Sequence, residues 1–380
     1  RSSPPCSAPG RGSGCATTTS PSGPAQGVDL AQMQGWDIVV APDAIPAEVY
    51  AAEEFQKYFE QAGGARLPVV RSAAGPARHV FIGPGADMRR SPAGFDTDGF
   101  GPDDLRIVVA EETIAIAGGR PRGTLYGVYT FLEDHLGIRF LTPDHTHVPR
   151  LTGARPLAAL NHTYRPPLAF RQVYYGEILT DQPFAVRMRN NGFITDPKLG
   201  GPPPFDLINH SFSGQIPSSV YGQDHPEYFC EIDGRRRTGN GQDHSASQPC
   251  LTNPEVLRIV TEAVLRDLQA HPEKKIVSVS QNDNLFFCRC EKCRVLDEAG
   301  QSPMGSLLAF VNAVADKVAE KHPGVRVGTL AYQYSRKPPK NLNPRPHVQI
   351  QLCSIECCIF HSLDDPDCPL NAAFCRDLED

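Results

Sequence analysis

The chain has 380 residues, a formal net charge of −6 at pH 7 and a pI of about 6.1, with 36 prolines, 33 glycines and 12 cysteines. That length holds two or three domains with a sizeable core, and the acidic balance, with no basic run longer than Arg235-Arg236-Arg237, argues against nucleic-acid binding through a basic surface. No apolar stretch of about 18 residues exists, so no membrane-spanning helix is predicted.

Residues 1–35 are expected to form a flexible, exported tail. The first 27 are low in complexity and lack the apolar periodicity of a core. Ser13-Gly14-Cys15-Ala16 resembles the end of a bacterial lipoprotein signal, in which the cysteine is lipidated, although no apolar run precedes it. The expectation is a secreted or cell-envelope protein, with a lipid anchor at Cys15 as an alternative.

Residues 36–150 read as a small α+β domain. Short strands are predicted at Asp37 to Val40, Leu67 to Val70 and His79 to Ile82, with a hairpin over Leu105 to Ala117 turning at Glu111-Glu112. Helices are predicted from Pro46 to Ala62 and from Gly123 to His135, the second stopped by Gly137. This order implies a sheet with helices on one face. Residues 151–167, rich in proline and without a clear period, read as a linker.

From 168 to 380 strands and helices alternate. Strands are predicted at Ala169 to Tyr175, Phe193 to Thr195, Phe205 to Phe212, Ile276 to Ser280, Val325 to Tyr332 and Val348 to Ile355. Between them lie a helix opened by Asn253-Pro254 and one striped by Leu307, Phe310, Val311, Val314 and Val318. The fold class is therefore α/β, either an open parallel sheet or a (β/α) TIM-type barrel. With six strands where a barrel needs eight, the barrel would be truncated after strand six.

The segment Ile276 to Cys293, IVSVSQNDNLFFCRCEKC, carries the most chemistry. A buried strand delivers Gln281, Asn282, Asp283 and Asn284 to its C-terminal end, which is where barrel enzymes present catalytic groups. Asn-Asp-Asn is equally turn chemistry. Glu356 follows the sixth strand and would open on the same face, unless it is an ion-pair partner for an arginine. Cys288, Cys290 and Cys293 offer three thiolates. Structural zinc wants four, so a fourth would come from Cys250, Cys353 or Cys357; disulfides and free thiols remain alternatives. No catalytic metal and no cofactor is expected.

Several pieces together resemble known families. Gly118 to Pro143, GGRPRGTLYGVYTFLEDHLGIRFLTP, is similar to the accessory domain before the barrel of bacterial α-glucuronidases and β-hexosaminidases. Asn209 to Phe212, His225 to Phe229, Ser280 to Asn284 with the three cysteines, Leu330 to Tyr334 and Cys353 to Cys357 resemble the bacterial domain of unknown function 4838. Some members of that group are assigned to glycoside hydrolase family 163, endo-β-N-acetylglucosaminidases. The resemblance implies a glycoside hydrolase acting on a glycan that contains N-acetylglucosamine. Asp283 and Glu356 would be its catalytic carboxylates. His210, Asn282, Tyr334, Arg171 and Tyr175 would contact the sugar, with Asn282 or Tyr334 serving an acetamido group if attack is substrate-assisted. The alternatives are an α-glucuronidase-like enzyme, which would need a pocket cation for the uronate, and a non-catalytic glycan-binding protein.

Overall fold

The structure, a computed structural model, describes residues 27–75, 78–204, 206–239 and 247–379. Cys15 and the rest of residues 1–26 lie outside them. The chain divides into two compact units, Arg1–Pro202 and Pro203–Asp380. No helix among the described residues is long and apolar enough to cross a membrane.

The first unit is built on six strands: β1 (Asp37–Val39), β2 (Val69–Val70), β3 (His79–Ile82), β4 (Leu105–Ala110), β5 (Thr113–Gly118) and β6 (Leu160–Tyr164). Their order across the sheet is β6-β4-β5-β3-β1-β2, antiparallel at β6-β4-β5 and parallel from β5 to β2. Alternation along each strand sorts side chains between two faces. Ile38, Val80, Ile82, Ile107 and Ile116 join one core with the helices, whereas Val39, Phe81, Val108 and Ala115 join a second cluster. The helices α1 (Pro46–Gln61) and α2 (Gly123–Leu136) match the sequence expectation to within a residue, and Gly137 caps α2 at φ 75°. The glycines of GGRPRG have a packing reason: a Cβ on Gly119 would stand 1.8 Å from the Gly101 carbonyl oxygen.

Three sequence expectations fail here. Residues 27–35 are not tail, since Val28, Leu30 and Met33 are buried in the core and Val28–Asp29 pairs with Pro156–Leu157. Residues 151–167 are not simply a linker, because β6 is the edge strand on β4; exposed on this edge, it shows no apolar alternation in the sequence. The expected barrel strands at Ala169 to Tyr175 and Phe193 to Thr195 are not strands, and 168–202 belongs to the first unit. Ile178, Phe184, Val186, Ile194 and Leu199 fill its core. Polar contacts fix the same segment: Asp103 accepts from buried Arg122 at 2.7 Å, Arg171 at 2.7 Å and Asn191 at 2.8 Å.

The second unit carries three parallel strands, β7 (Ile276–Ser278), β8 (Arg326–Ala331) and β9 (Val348–Leu352), paired in chain order. Its longer helices are α3 (Pro254–Ala270), α4 (Glu291–Gly300), α5 (Met304–Lys321) and α6 (Pro369–Glu379), with single turns at Phe212–Gln215 and Ser218–Tyr221. Asn253 caps α3, accepting from the Glu255 amide at 2.9 Å, and the predicted α5 stripe is buried in the core. The expected strand up to Phe212 is not a ladder strand. Residues 206–212 still run beside β7, with the Asp206 amide donating to the Ile276 carbonyl at 3.0 Å and the Ser211 amide to the Ser280 carbonyl at 3.2 Å. Between them the Ser278 hydroxyl takes the Asn209 amide at 3.1 Å, replacing a ladder bond. The fold is mixed α/β, and no closed barrel forms among the described residues.

Candidate functional site

The site lies wholly in the second unit, past the C-terminal end of β7. Ser280, Gln281 and Asn282 are buried as the chain leaves the strand. Asn282 is consumed by the scaffold: its Oδ1 accepts from the Ser213 amide at 2.8 Å and its Nδ2 donates to the Ser247 carbonyl at 2.8 Å. Gln248 brackets its backbone with bonds of 3.0 and 2.8 Å. Asn284 completes the turn, accepting from Gln248 at 3.1 Å and donating to the Ser247 carbonyl at 3.2 Å. The two asparagines therefore hold the turn, and Asp283 between them projects outward with its side chain 59% exposed.

Two groups converge on one oxygen of that carboxylate. The Tyr332 hydroxyl donates to Asp283 Oδ1 at 3.1 Å, and His210 Nε2 stands 3.7 Å from the same atom. His210 Nδ1 is 2.6 Å from the Gln281 carbonyl, which can only accept, so Nδ1 carries a proton and Nε2 is left facing the carboxylate. The His210 and Tyr332 rings pack at 5.6 Å. Burial, then the Asp283 carboxylate, push the Tyr332 phenol up, with smaller contributions from Cys353 and Glu356.

Glu356 is also within 3.4 Å of Arg336, whose other Nη pairs with Asp377 on α6. Strain and unmet polar capacity gather around Tyr332. Gln333 holds φ 52°, in the left-handed region. Gln281 Oε1, Gln333 Oε1 and Arg336 Nε are buried without hydrogen-bond partners.

The other residues singled out in the sequence fall elsewhere. Tyr334 stacks on Phe287 at 5.1 Å, and its phenol, pushed up by burial, feels Cys230 and Asp297 rather than Asp283. Arg171, in the first unit, is a structural clamp bonded to Asp103 and to the carbonyls of Leu168 and Arg189. Tyr175 caps a short helix of the same unit and is 73% exposed. Tyr332, not Tyr334, is the tyrosine at the carboxylate, a distinction that strand alternation leaves open where β8 ends and a 3-10 turn begins. Two cavities of this unit lie alongside: one of about 400 Å³ lined by Phe287, Arg289 and Asp297, another of about 480 Å³ lined by Arg336, Ile350 and Asp377. Asp283, Tyr332 and Glu356 line neither of these two cavities.

A mixed α/β protein with an exposed carboxylate at a parallel strand end is the class that fold and site define. The model of the family described as Domain of unknown function (DUF4838) matches residues 140–380, and the chain belongs to that family. No curated protein matches it. Among solved structures, the GH20 β-N-acetylhexosaminidase of Streptomyces coelicolor A3(2) is similar with TM-score 0.43 and 15% identity, over 93% of this chain and 71% of that one. The β-N-acetylhexosaminidase of Bacteroides fragilis NCTC 9343 gives TM-score 0.47 and 12% identity, over 87% and 68%. Likeness at this level assigns no residue a role.

Proposed function

We propose that this protein is a glycoside hydrolase acting on a glycan that contains N-acetylglucosamine, as the sequence resemblance to family 163-like members implies. The observation that carries the proposal is Asp283, exposed, held by Tyr332 and faced by His210 at the end of β7. The segment 206–212, β7, β8 and β9 lie side by side in chain order, the arrangement of consecutive barrel strands, which supports a (β/α) barrel-type sheet. Export through the N-terminal tail is part of the same proposal.

In this reading Asp283 faces the anomeric region, as nucleophile or as the partner that orients an acetamido group, and Glu356 donates the proton to the leaving oxygen once Arg336 leaves it for Asp377, the other partner of that guanidinium. Tyr332 and His210 hold Asp283 in place. The uronic-acid alternative gains nothing here, because Arg336 is already bound to Glu356 and Asp377.

The test uses a panel of N-glycans and an aryl N-acetylglucosaminide. Asp283→Asn should lower kcat/KM by about 10²-fold or more on both substrates. Glu356→Gln should do so on glycans and far less on the aryl substrate, whose leaving group needs no protonation. Glycan binding by the wild type with no sugar released would leave a binding protein and sink the hydrolase reading.

A further inference from the structure

Four cysteine sulfurs converge away from the carboxylate site. Cys250 precedes α3, Cys288 lies on the loop leaving β7, Cys290 is the residue capping α4, and Cys293 sits in the first turn of that helix. All four are buried, and their Sγ atoms lie within 4.8 Å of one another. Cys250 Sγ and Cys290 Sγ are 3.8 Å apart. A disulfide needs about 2.0 Å. A tetrahedral centre with metal–sulfur bonds of about 2.3 Å has sulfur–sulfur edges of about 3.8 Å. In a [4Fe–4S] cluster each cysteine binds a different iron, and in a [2Fe–2S] cluster the four divide between two irons, so in neither do all four sulfurs share one centre.

The surroundings suit thiolates. The Glu231 amide points at Cys288 Sγ from 3.3 Å, the Thr252 hydroxyl is 3.2 Å from Cys293 Sγ, and Arg236 Nη1 is 3.9 Å from Cys288 Sγ. The N-terminus of α4 adds its partial positive charge at Cys290 and Cys293.

We propose that Cys250, Cys288, Cys290 and Cys293 bind one zinc ion as four thiolates. Binding displaces four protons, and Arg236 offsets part of the resulting double negative charge. All-sulfur tetrahedral donors favour zinc, and four protein ligands leave no open position, so the ion is structural. It ties the start of α3 to the loop that carries the Asp283 turn.

The test is metal content on the full chain, reduced, equilibrated with Zn²⁺ and desalted. One zinc per chain is expected, and Co²⁺ in its place should give the visible bands of a tetrahedral thiolate centre. The chain also holds a three-ligand group, Cys358, His361 and Cys368, so a Cys358→Ser/Cys368→Ser variant should keep its one zinc. Cys250→Ser should lower zinc affinity at least tenfold. If that variant fails to fold, the Co²⁺ spectrum of the Cys358→Ser/Cys368→Ser chain decides. Failure of that chain to retain zinc while all thiols are reduced, or a disulfide among the four cysteines in the purified chain, overturns the proposal. Neither result bears on the hydrolase reading, which rests on Asp283.

Discussion

Glu54→Ala tests how the segment after β6 is fastened to the first unit. Glu54 lies on α1 and is 4% exposed. Its Oε2 accepts from Arg187 Nε at 3.1 Å, Arg187 Nη2 at 2.9 Å and the Tyr129 hydroxyl at 3.1 Å. Arg187 is 10% exposed along its side chain, so removing the carboxylate strands a buried guanidinium that cannot lose its proton. Breaking one side of such a pair costs about 3–5 kcal/mol. The rings of Tyr58 and Phe140, 5.7 and 5.4 Å from the guanidinium carbon, offset about 1 kcal/mol of that, placing the net cost near 3 kcal/mol. Trp36 is the chain's one tryptophan and is buried in the same core, so its fluorescence follows this unit. With a urea m-value of about 2 kcal/mol/M, the unfolding midpoint should fall by about 1.5 M. Glu54→Leu combined with Arg187→Met should recover most of the loss, since a well-packed apolar pair can replace a buried ion pair. A midpoint shift below about 0.3 M at unchanged m-value, or a double variant no better than Glu54→Ala, would refute the reasoning.

Gly119→Ala should destabilise the first unit by about 1–3 kcal/mol by the same fluorescence assay, because its Cβ meets a backbone oxygen that has no rotamer with which to yield. Asn282→Ala should lower stability by about 2–4 kcal/mol through two lost buried hydrogen bonds, whereas Asp283→Asn should change it by less than about 0.5 kcal/mol. Equal melting shifts for the two variants would contradict the division between scaffold and exposed carboxylate. Burial pushes the Asp297 carboxyl up to about 6, against the pull of the Ser306 amide at 2.7 Å. Because the folded state then holds this proton more tightly than the unfolded state, the Asp297 contribution makes stability fall as pH rises from about 4 to about 6. Asp297→Asn should therefore gain about 3 kcal/mol over wild type at pH 7 and little at pH 4, and a difference that is flat with pH would refute the burial argument.

The sequence by itself determined the elements whose signals are local. The helical stripes of α1, α2, α3 and α5, the cap at Asn253, the stop at Gly137 and the strand that ends before Asp283 are all written within a few residues of one another, and they stand in the structure. It also placed Asp283 and the three clustered cysteines on one segment. What it left open depends on pairs far apart in the chain. Segment 168–202 alternates like barrel strands, yet Asp103, some 70 to 90 residues earlier, captures Arg171 and Asn191 and draws it into the first unit. Asn282 and Asp283 are neighbours with equal sequence credentials as site residues; only Ser213, Ser247 and Gln248, brought in by folding, bury one and leave the other exposed. Likewise Cys250 joins Cys288, Cys290 and Cys293 across about 40 residues. A side chain's chemistry depends on its solvent exposure and on which partners reach it, and those are settled by packing between distant segments.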